Sequence, residues 1–212
     1  MYEDAATAYT RGDYQMALRI LQPLAEHGDA NAQFNLALMY RKGNGLPQNN
    51  AEAVKWYQKA ADQGDAAAQF NLASMYEKGL VVSQDYARAI RLYRAAAEQG
   101  LADAQNNLCG MYLAGEGVSQ DDVEAAKWCR KAADQAYAVA QFNLGLMYEN
   151  GEGVTQDYVA AYMWLDLAAS GSTTGDRLAL ARRELVATKM TPTQIAKARK
   201  LAWEWKLKPK QN

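Results

Sequence analysis

The string Ala-Gln-Phe-Asn-Leu stands at residues 32–36 and returns at 68–72 and 140–144, with Ala-Gln-Asn-Asn-Leu at 104–108. The offset is 36 residues each time, without insertion or deletion. A second string keeps the same period: Ala53-Val54-Lys55-Trp56-Tyr57, Ala89-Ile90-Arg91-Leu92-Tyr93, Ala125-Ala126-Lys127-Trp128-Cys129 and Ala161-Tyr162-Met163-Trp164-Leu165. Ala17-Leu18-Arg19-Ile20-Leu21 extends it one period upstream. A chain built this way repeats one supersecondary unit and stacks the copies, because a single unit cannot bury its apolar face alone.

Within each unit the apolar spacing is helical. Ala53, Trp56, Tyr57, Ala60 and Ala61 fall at i, i+3, i+4, i+7 and i+8, as do Ala89, Leu92, Tyr93, Ala96 and Ala97. In the first string the stripe is Ala32, Leu36, Met39 and Tyr40, ending at Gly43. Gly28, Gly64 and Gly100 stand where a left-handed residue closes a helix. Asp85, Asp121 and Asp157 precede the second helices and can cap their N–H groups. The links Gly43-Asn44-Gly45-Leu46, Gly115-Glu116-Gly117-Val118 and Gly151-Glu152-Gly153-Val154 are not phosphate loops, since no Lys-Ser/Thr follows. They read as helix–helix turns plugged by Leu46, Val82, Val118 and Val154.

Composition narrows the function classes. Half of the 212 residues are hydrophobic and 22% charged, so the chain folds. The longest uncharged apolar run, residues 135–148, is too short to span a bilayer. The start, Met-Tyr-Glu-Asp, has neither the basic nor the apolar region of a signal peptide; an exported product would carry a leader outside this sequence. Residues 1–175 hold 13 Lys/Arg against 21 Asp/Glu, and residues 176–212 hold 10 against 3. An acidic body with a basic tail is not the pattern of a nucleic-acid binder. One histidine and two cysteines without CxxC spacing exclude the usual metal sites and triads, so no cofactor and no catalytic residue is expected.

Ala-x-x-x-Leu-Gly-x-Met-Tyr-x-x-Gly-x-Gly-Val followed by Ala-x-x-Trp-x-x-Lys-Ala-Ala resembles the SEL-1-like repeat, a relative of the tetratricopeptide repeat; residues 140–153 match almost throughout. Tyr9, Gly12, Asp13, Tyr14 and Ala17 look like a tetratricopeptide hairpin ahead of the array. Val81 replaces the second loop glycine, Asn106 a phenylalanine and Ala136 the terminal glycine. The resemblance implies an all-α fold, a right-handed α-α superhelix of 36-residue helical hairpins with a C-terminal helical cap. The expected organisation is a repeat array over 1–171 (hairpin 1–28, four repeats over about 29–171) and capping helices with a basic tail over 172–212. After 171 the period stops, a helix is predicted over Asp176–Ala187, and Thr191-Pro192-Thr193-Gln194 reads as a capping box. Ile195, Ala198, Leu201, Ala202 and Trp205 form the stripe of the helix that follows.

By similarity to tetratricopeptide units, a second stripe on each first helix faces a concave groove. It carries Phe34, Leu38 and Arg41, then Phe70, Ser74 and Glu77, then Phe142, Leu146 and Glu149, flanked by Asn35, Asn71, Asn107 and Asn143. An Asn offers an acceptor and two donors. The row therefore has two readings: a ladder for the backbone of an extended peptide, with the phenylalanines as apolar pockets, or a set of bonds to the neighbouring hairpin that maintains the stack. Trp56, Trp128 and Trp164, with Tyr40, Tyr76, Tyr112 and Tyr148, occupy core slots, and His27 sits at a helix C-terminus.

Exported members of the resembled family bridge helices with disulfides, which makes Cys109–Cys129 a candidate pair. Hairpin geometry, however, sets Cys109 against Ala125, one turn from Cys129, and favours two buried free thiols. The expected function is a non-enzymatic adaptor that holds a peptide or protein segment in the groove, in bacterial envelope assembly or signalling, with a periplasmic location favoured by the resemblance. An alternative places binding of an anionic membrane or acidic partner in the tail, through Arg177, Arg182, Arg183, Lys197, Arg199, Lys200, Lys206, Lys208 and Lys210; the plainer view is a cap whose charge complements the acidic body. A remote alternative is a β-lactam-type hydrolase, against which stands the lack of Ser-x-x-Lys.

Overall fold

The computed structural model describes residues 2–80, 83–170 and 176–207, which hold twelve α-helices and no strand. Val81, Val82, Lys208 and Lys210 lie outside the described residues. The helices are α1 (Tyr2–Thr10), α2 (Tyr14–Glu26), α3 (Ala30–Lys42), α4 (Asn50–Asp62), α5 (Ala66–Lys78), α6 (Tyr86–Glu98), α7 (Ala102–Ala114), α8 (Asp122–Asp134), α9 (Ala138–Asn150), α10 (Tyr158–Ala168), α11 (Asp176–Ala187) and α12 (Pro192–Leu207). They gather into two compact units, Met1–Leu101 and Ala102–Asn212. In the first, α1/α2, α3/α4 and α5/α6 form consecutive hairpins, each packed on the next as in a solenoid. In the second, α7/α8 and α9/α10 do the same, and both α11 and α12 pack on α10.

Capping chemistry sets the helix limits. Asp29 and Asp65 accept from the N–H groups of Ala32 (2.7 Å) and Ala68 (2.6 Å), and Asn49, Asp85, Asp121 and Asp157 cap the second helices in the same way. The capping box forms as expected, with Thr191 N–H donating to Gln194 Oε1 and Gln194 N–H to Thr191 Oγ1. In the links, Gln48, Gln84 and Gln156 each donate to a carbonyl in the last turn of the preceding first helix, that of Arg41, Glu77 or Glu149. Gly153 is required by contact as well as by its φ of +65°, since a Cβ there would run into the Asp122 carbonyl oxygen.

The core is lined by small residues at the helix contacts. Ala17, Ala53, Ala89, Ala125 and Ala161 are fully buried, beside Leu36, Leu72, Leu108 and Leu144. One row of that core is polar. Gln33, Gln69, Gln105 and Gln141, the second residues of the repeated string, are all buried. Gln33 Nε2 donates to Ala25 O (3.0 Å), Gln69 Nε2 to Ala61 O (3.3 Å) and Gln141 Nε2 to Ala133 O (3.1 Å). On the other side, Gln63, Gln99 and Gln135 donate to the Oε1 atoms of Gln33, Gln69 and Gln105 at 2.8–2.9 Å. Each of these donors is 30 residues beyond its acceptor, so two glutamine rows follow the period.

Cys109 and Cys129 form a disulfide with a Cα–Cα separation of 5.1 Å, which corrects the expectation of free thiols. The two helices of a hairpin close on this pair rather than on Cys109 and Ala125. The same slot one period later shows how tight it is: a Cβ on Gly145 would lie 2.8 Å from Leu165 Cγ. The 20-residue separation gives a chain-entropy contribution of about 3 kcal/mol. Refolding with the pair reduced is expected to lower the unfolding free energy by about that amount, read from urea midpoints with and without reductant.

Ala136 stands where other units have a left-handed glycine, and it keeps the geometry with φ 66°. A side chain in that region costs about 1–2 kcal/mol. Ala136→Gly is therefore expected to stabilise the chain by about 1 kcal/mol, seen as a higher urea midpoint at unchanged slope.

Candidate functional site

In the first unit the stripe consists of Phe34, Asn35, Leu38 and Arg41 on α3 and Phe70, Asn71, Ser74 and Glu77 on α5, all half-buried. Each phenylalanine rests on a tyrosine from its own hairpin, Phe34 on Tyr57 (5.8 Å between centroids) and Phe70 on Tyr93 (5.6 Å). Asn35 Nδ2 donates to Asn31 O and Asn71 Nδ2 to Ala67 O, one turn back in their own helices. Asn71 Oδ1 accepts from Arg41 Nη1 at 2.9 Å and so joins α5 to α3.

The two tyrosines differ in what their hydroxyls meet. Tyr93 donates to Glu77 Oε2 at 2.6 Å. One period earlier, Arg41 stands where Glu77 would be, and a guanidinium cannot accept. The Tyr57 hydroxyl is buried with no partner. Burial pushes its pKa up to about 12, against the charge of Arg41, which lowers it. An unmade bond at a buried hydroxyl costs about 1–3 kcal/mol.

In the second unit Asn107 and Asn143 are half-buried on α7 and α9. Asn106 takes the phenylalanine position, and its Oδ1 is buried without a partner. The last repeat is closed by the chain itself. Phe142 packs against the cluster of Ala161, Tyr162, Leu165, Val186 and Ala198, which draws on α11 and α12. Glu149, 3% exposed, accepts from Arg182 Nε (2.5 Å) and Lys189 Nζ (3.0 Å). Burial pushes the Glu149 carboxyl up, but the hydrogen bonds and charges of Lys189 and Arg182 outweigh it and hold the group below its ordinary value.

Several of the tail's cations meet groups of the preceding helices. Arg183 pairs with Asp166 at 2.6 Å, Arg199 donates to the Tyr162 hydroxyl, and Lys206 donates to Ser170 Oγ. Trp128 and Trp164 are buried, Trp164 against Trp205, while Trp56 is half-buried under Lys59. His27 Nδ1 lies 2.6 Å from Pro23 O at the end of α2. Among the described residues no group of three His, Cys, Asp or Glu could hold a metal, and no helix is long and apolar enough to cross a membrane.

Two features escape a reading of the sequence by apolar spacing. The buried glutamines are polar, yet their recurrence at 36 residues is as strict as that of the leucines. Tyr57 looks like any core tyrosine until the residue at position 41 is compared with that at 77.

Four consecutive segments, residues 30–65, 66–101, 102–137 and 138–172, match the Sel1 repeat model. The chain belongs to the Sel1 repeat family. A Sel1 repeat protein of Oxalobacter formigenes superimposes with a TM-score of 0.80 at 33% identity, over 86% of this chain and 75% of that one. The c5321 protein, a protective antigen of uropathogenic Escherichia coli with an SLR fold, gives 0.57 at 29% identity; the match covers 94% of this chain and 53% of that one. A 47-residue stretch is 43% identical to DAP3-binding cell death enhancer 1 of Rattus norvegicus, 22% of this chain and 9% of that protein. Sel1 repeat proteins are generally protein–protein interaction scaffolds and typically non-catalytic.

The Glu149 contacts give a pH signature to the array's end. A carboxyl held below its unfolded value contributes stability that is complete above the ordinary glutamate pKa of about 4.3 and is lost as pH falls through the folded value. Glu149→Gln is expected to lower stability by about 2 kcal/mol at pH 7. Urea midpoints of wild type and variant should converge below about pH 4.

Proposed function

We propose that this Sel1 repeat protein is a non-enzymatic scaffold that holds a segment of a partner protein along the first-helix stripe of its repeats. One observation carries the reading. Among the described residues, the buried side-chain polar atoms left without a partner are the Tyr57 hydroxyl and Asn106 Oδ1, and each belongs to a repeat's first-helix stripe or that stripe's floor within its own unit. Buried polar groups in native proteins find partners, and those that do not call for a missing one. The Tyr57 hydroxyl of the first unit can donate to a carbonyl or side-chain oxygen of a polypeptide, and the Asn106 oxygen of the second, taken by itself, can accept from an amide. The half-buried Phe34 and Phe70 supply apolar contact beside them.

The compartment belongs to the same proposal. A disulfide joining α7 to α8 suits an oxidising location such as the bacterial periplasm or cell surface. Binding through the cap's cations is less well supported, because Arg182, Arg183, Lys189 and Arg199 already meet groups of the chain itself.

A photo-crosslinking side chain placed at Phe70, and separately at exposed Lys55 on α4, tests the surface. In native extract the Phe70 position should yield a discrete adduct that excess unmodified protein suppresses, and the Lys55 position should not. Equal adducts from both, or none from Phe70 in a chain folded by circular dichroism, would sink the reading.

A further inference from the structure

Hairpins α3/α4 and α5/α6 are copies of one repeat and differ, among other positions, at Arg41 and Glu77. In α5/α6 the repeat supplies its own carboxylate, and Tyr93 donates to Glu77 Oε2 at 2.6 Å. In α3/α4 the corresponding hydroxyl is that of Tyr57, fully buried and unpartnered, and Arg41 takes the place of the carboxylate. The half-buried Arg41 directs Nη1 at Asn71 Oδ1, one of the five N–H donors that a guanidinium carries. Its charge acts on the Tyr57 hydroxyl. The first unit thus carries an unpartnered hydroxyl and a guanidinium at the two positions that in the neighbouring hairpin hold a hydroxyl and the carboxylate that receives it.

We propose that this point of the first unit is a carboxylate-binding site, filled by an aspartate or glutamate side chain of the partner segment. The Arg41 guanidinium and Tyr57 hydroxyl receive the carboxylate, with Asn71 at its side and the Phe34 ring against its methylenes. The proposal rests on the stripe being the binding face. Entry takes a rotation of the Arg41 side chain, which brings a charge-assisted bond to the ligand. A neutral amide in the same position offers a single acceptor oxygen and no charge, so its bonds to the two donors lack the charge assistance that a carboxylate gives. Asn35 and the small cavity that it lines with Tyr9, Thr10 and Leu21 adjoin the stripe and leave room for the flanking residue.

Fluorescence anisotropy of the full chain with a labelled, end-capped octapeptide of alternating Leu and Glu, and with its Leu/Gln counterpart, tests this. Wild type is expected to bind the Glu peptide about tenfold more tightly, an advantage reduced by salt. Arg41→Glu reinstates the α5/α6 arrangement, so it should keep or raise the urea midpoint while abolishing the preference. Tyr57→Phe removes the orphan hydroxyl; it should keep the fold and reduce the preference several-fold. Equal binding of the two peptides by wild type, a preference that survives Arg41→Glu, or binding of neither peptide at millimolar concentration would each overturn the site. Equal binding that disappears in Phe70→Ser overturns the carboxylate site alone and leaves the stripe standing as the binding face, which the crosslinking experiment decides independently.

Discussion

A glutamine side chain buried among alanines and leucines has to satisfy both ends of its amide, and the stack is arranged around that demand. Gln33 reaches back to the Ala25 carbonyl at the end of α2, while its oxygen receives the amide of Gln63 at the end of α4. Three helices from two hairpins are thereby tied at one point. Hydrophobic contact alone would allow a helix of small residues to slide or rotate on its neighbour at little cost. A directional bond that costs several kcal/mol to leave unmade in an apolar setting does not. The even helix lengths follow: adding one residue within α4 ahead of Gln63 would turn the donor about 100° around its helix and leave the Gln33 oxygen without it.

The closeness of the helices follows from the alanines, and the disulfide follows from the closeness. Positions 37, 73, 109 and 145 hold Ala, Ala, Cys and Gly, and their mates twenty residues on hold Tyr, Tyr, Cys and Leu. A small residue faces a large one in three copies, and two intermediate ones face each other in the fourth. The total bulk at the slot is roughly conserved while its partition varies, as close-packed interiors require. With two cysteines the slot can be closed by a covalent bond, and it is.

Apolar periodicity made the hairpins legible, and glycine and aspartate marked their ends closely enough that α11 spans the residues expected of it. The same method misplaced the cysteines, because it ranks residues along one helix and does not say where two helices cross. It also overlooked Gln33 and Gln69, since it treats polar residues as surface unless a partner is visible. Arg41, Glu77 and Glu149 have their charged ends engaged with Asn71, Tyr93, and the Arg182/Lys189 pair respectively. Those pairings join residues 16–40 positions apart, with partners that differ from repeat to repeat, and no periodic rule anticipates them.

In an array the period itself separates structure from function. A position that repeats in type, such as the buried glutamines, serves what all units share, which is stacking. A position that breaks the period can keep the unit's geometry at a cost, as Ala136 does by adopting the left-handed backbone of the glycines it replaces. Arg41 and Asn106 break the period and leave a buried polar atom without a partner. A Glu at 41 would offer the Tyr57 hydroxyl the acceptor that Glu77 gives Tyr93. In the first unit the orphan lies on the hairpin whose stripe, with that of α5, is the surface proposed to hold a partner segment.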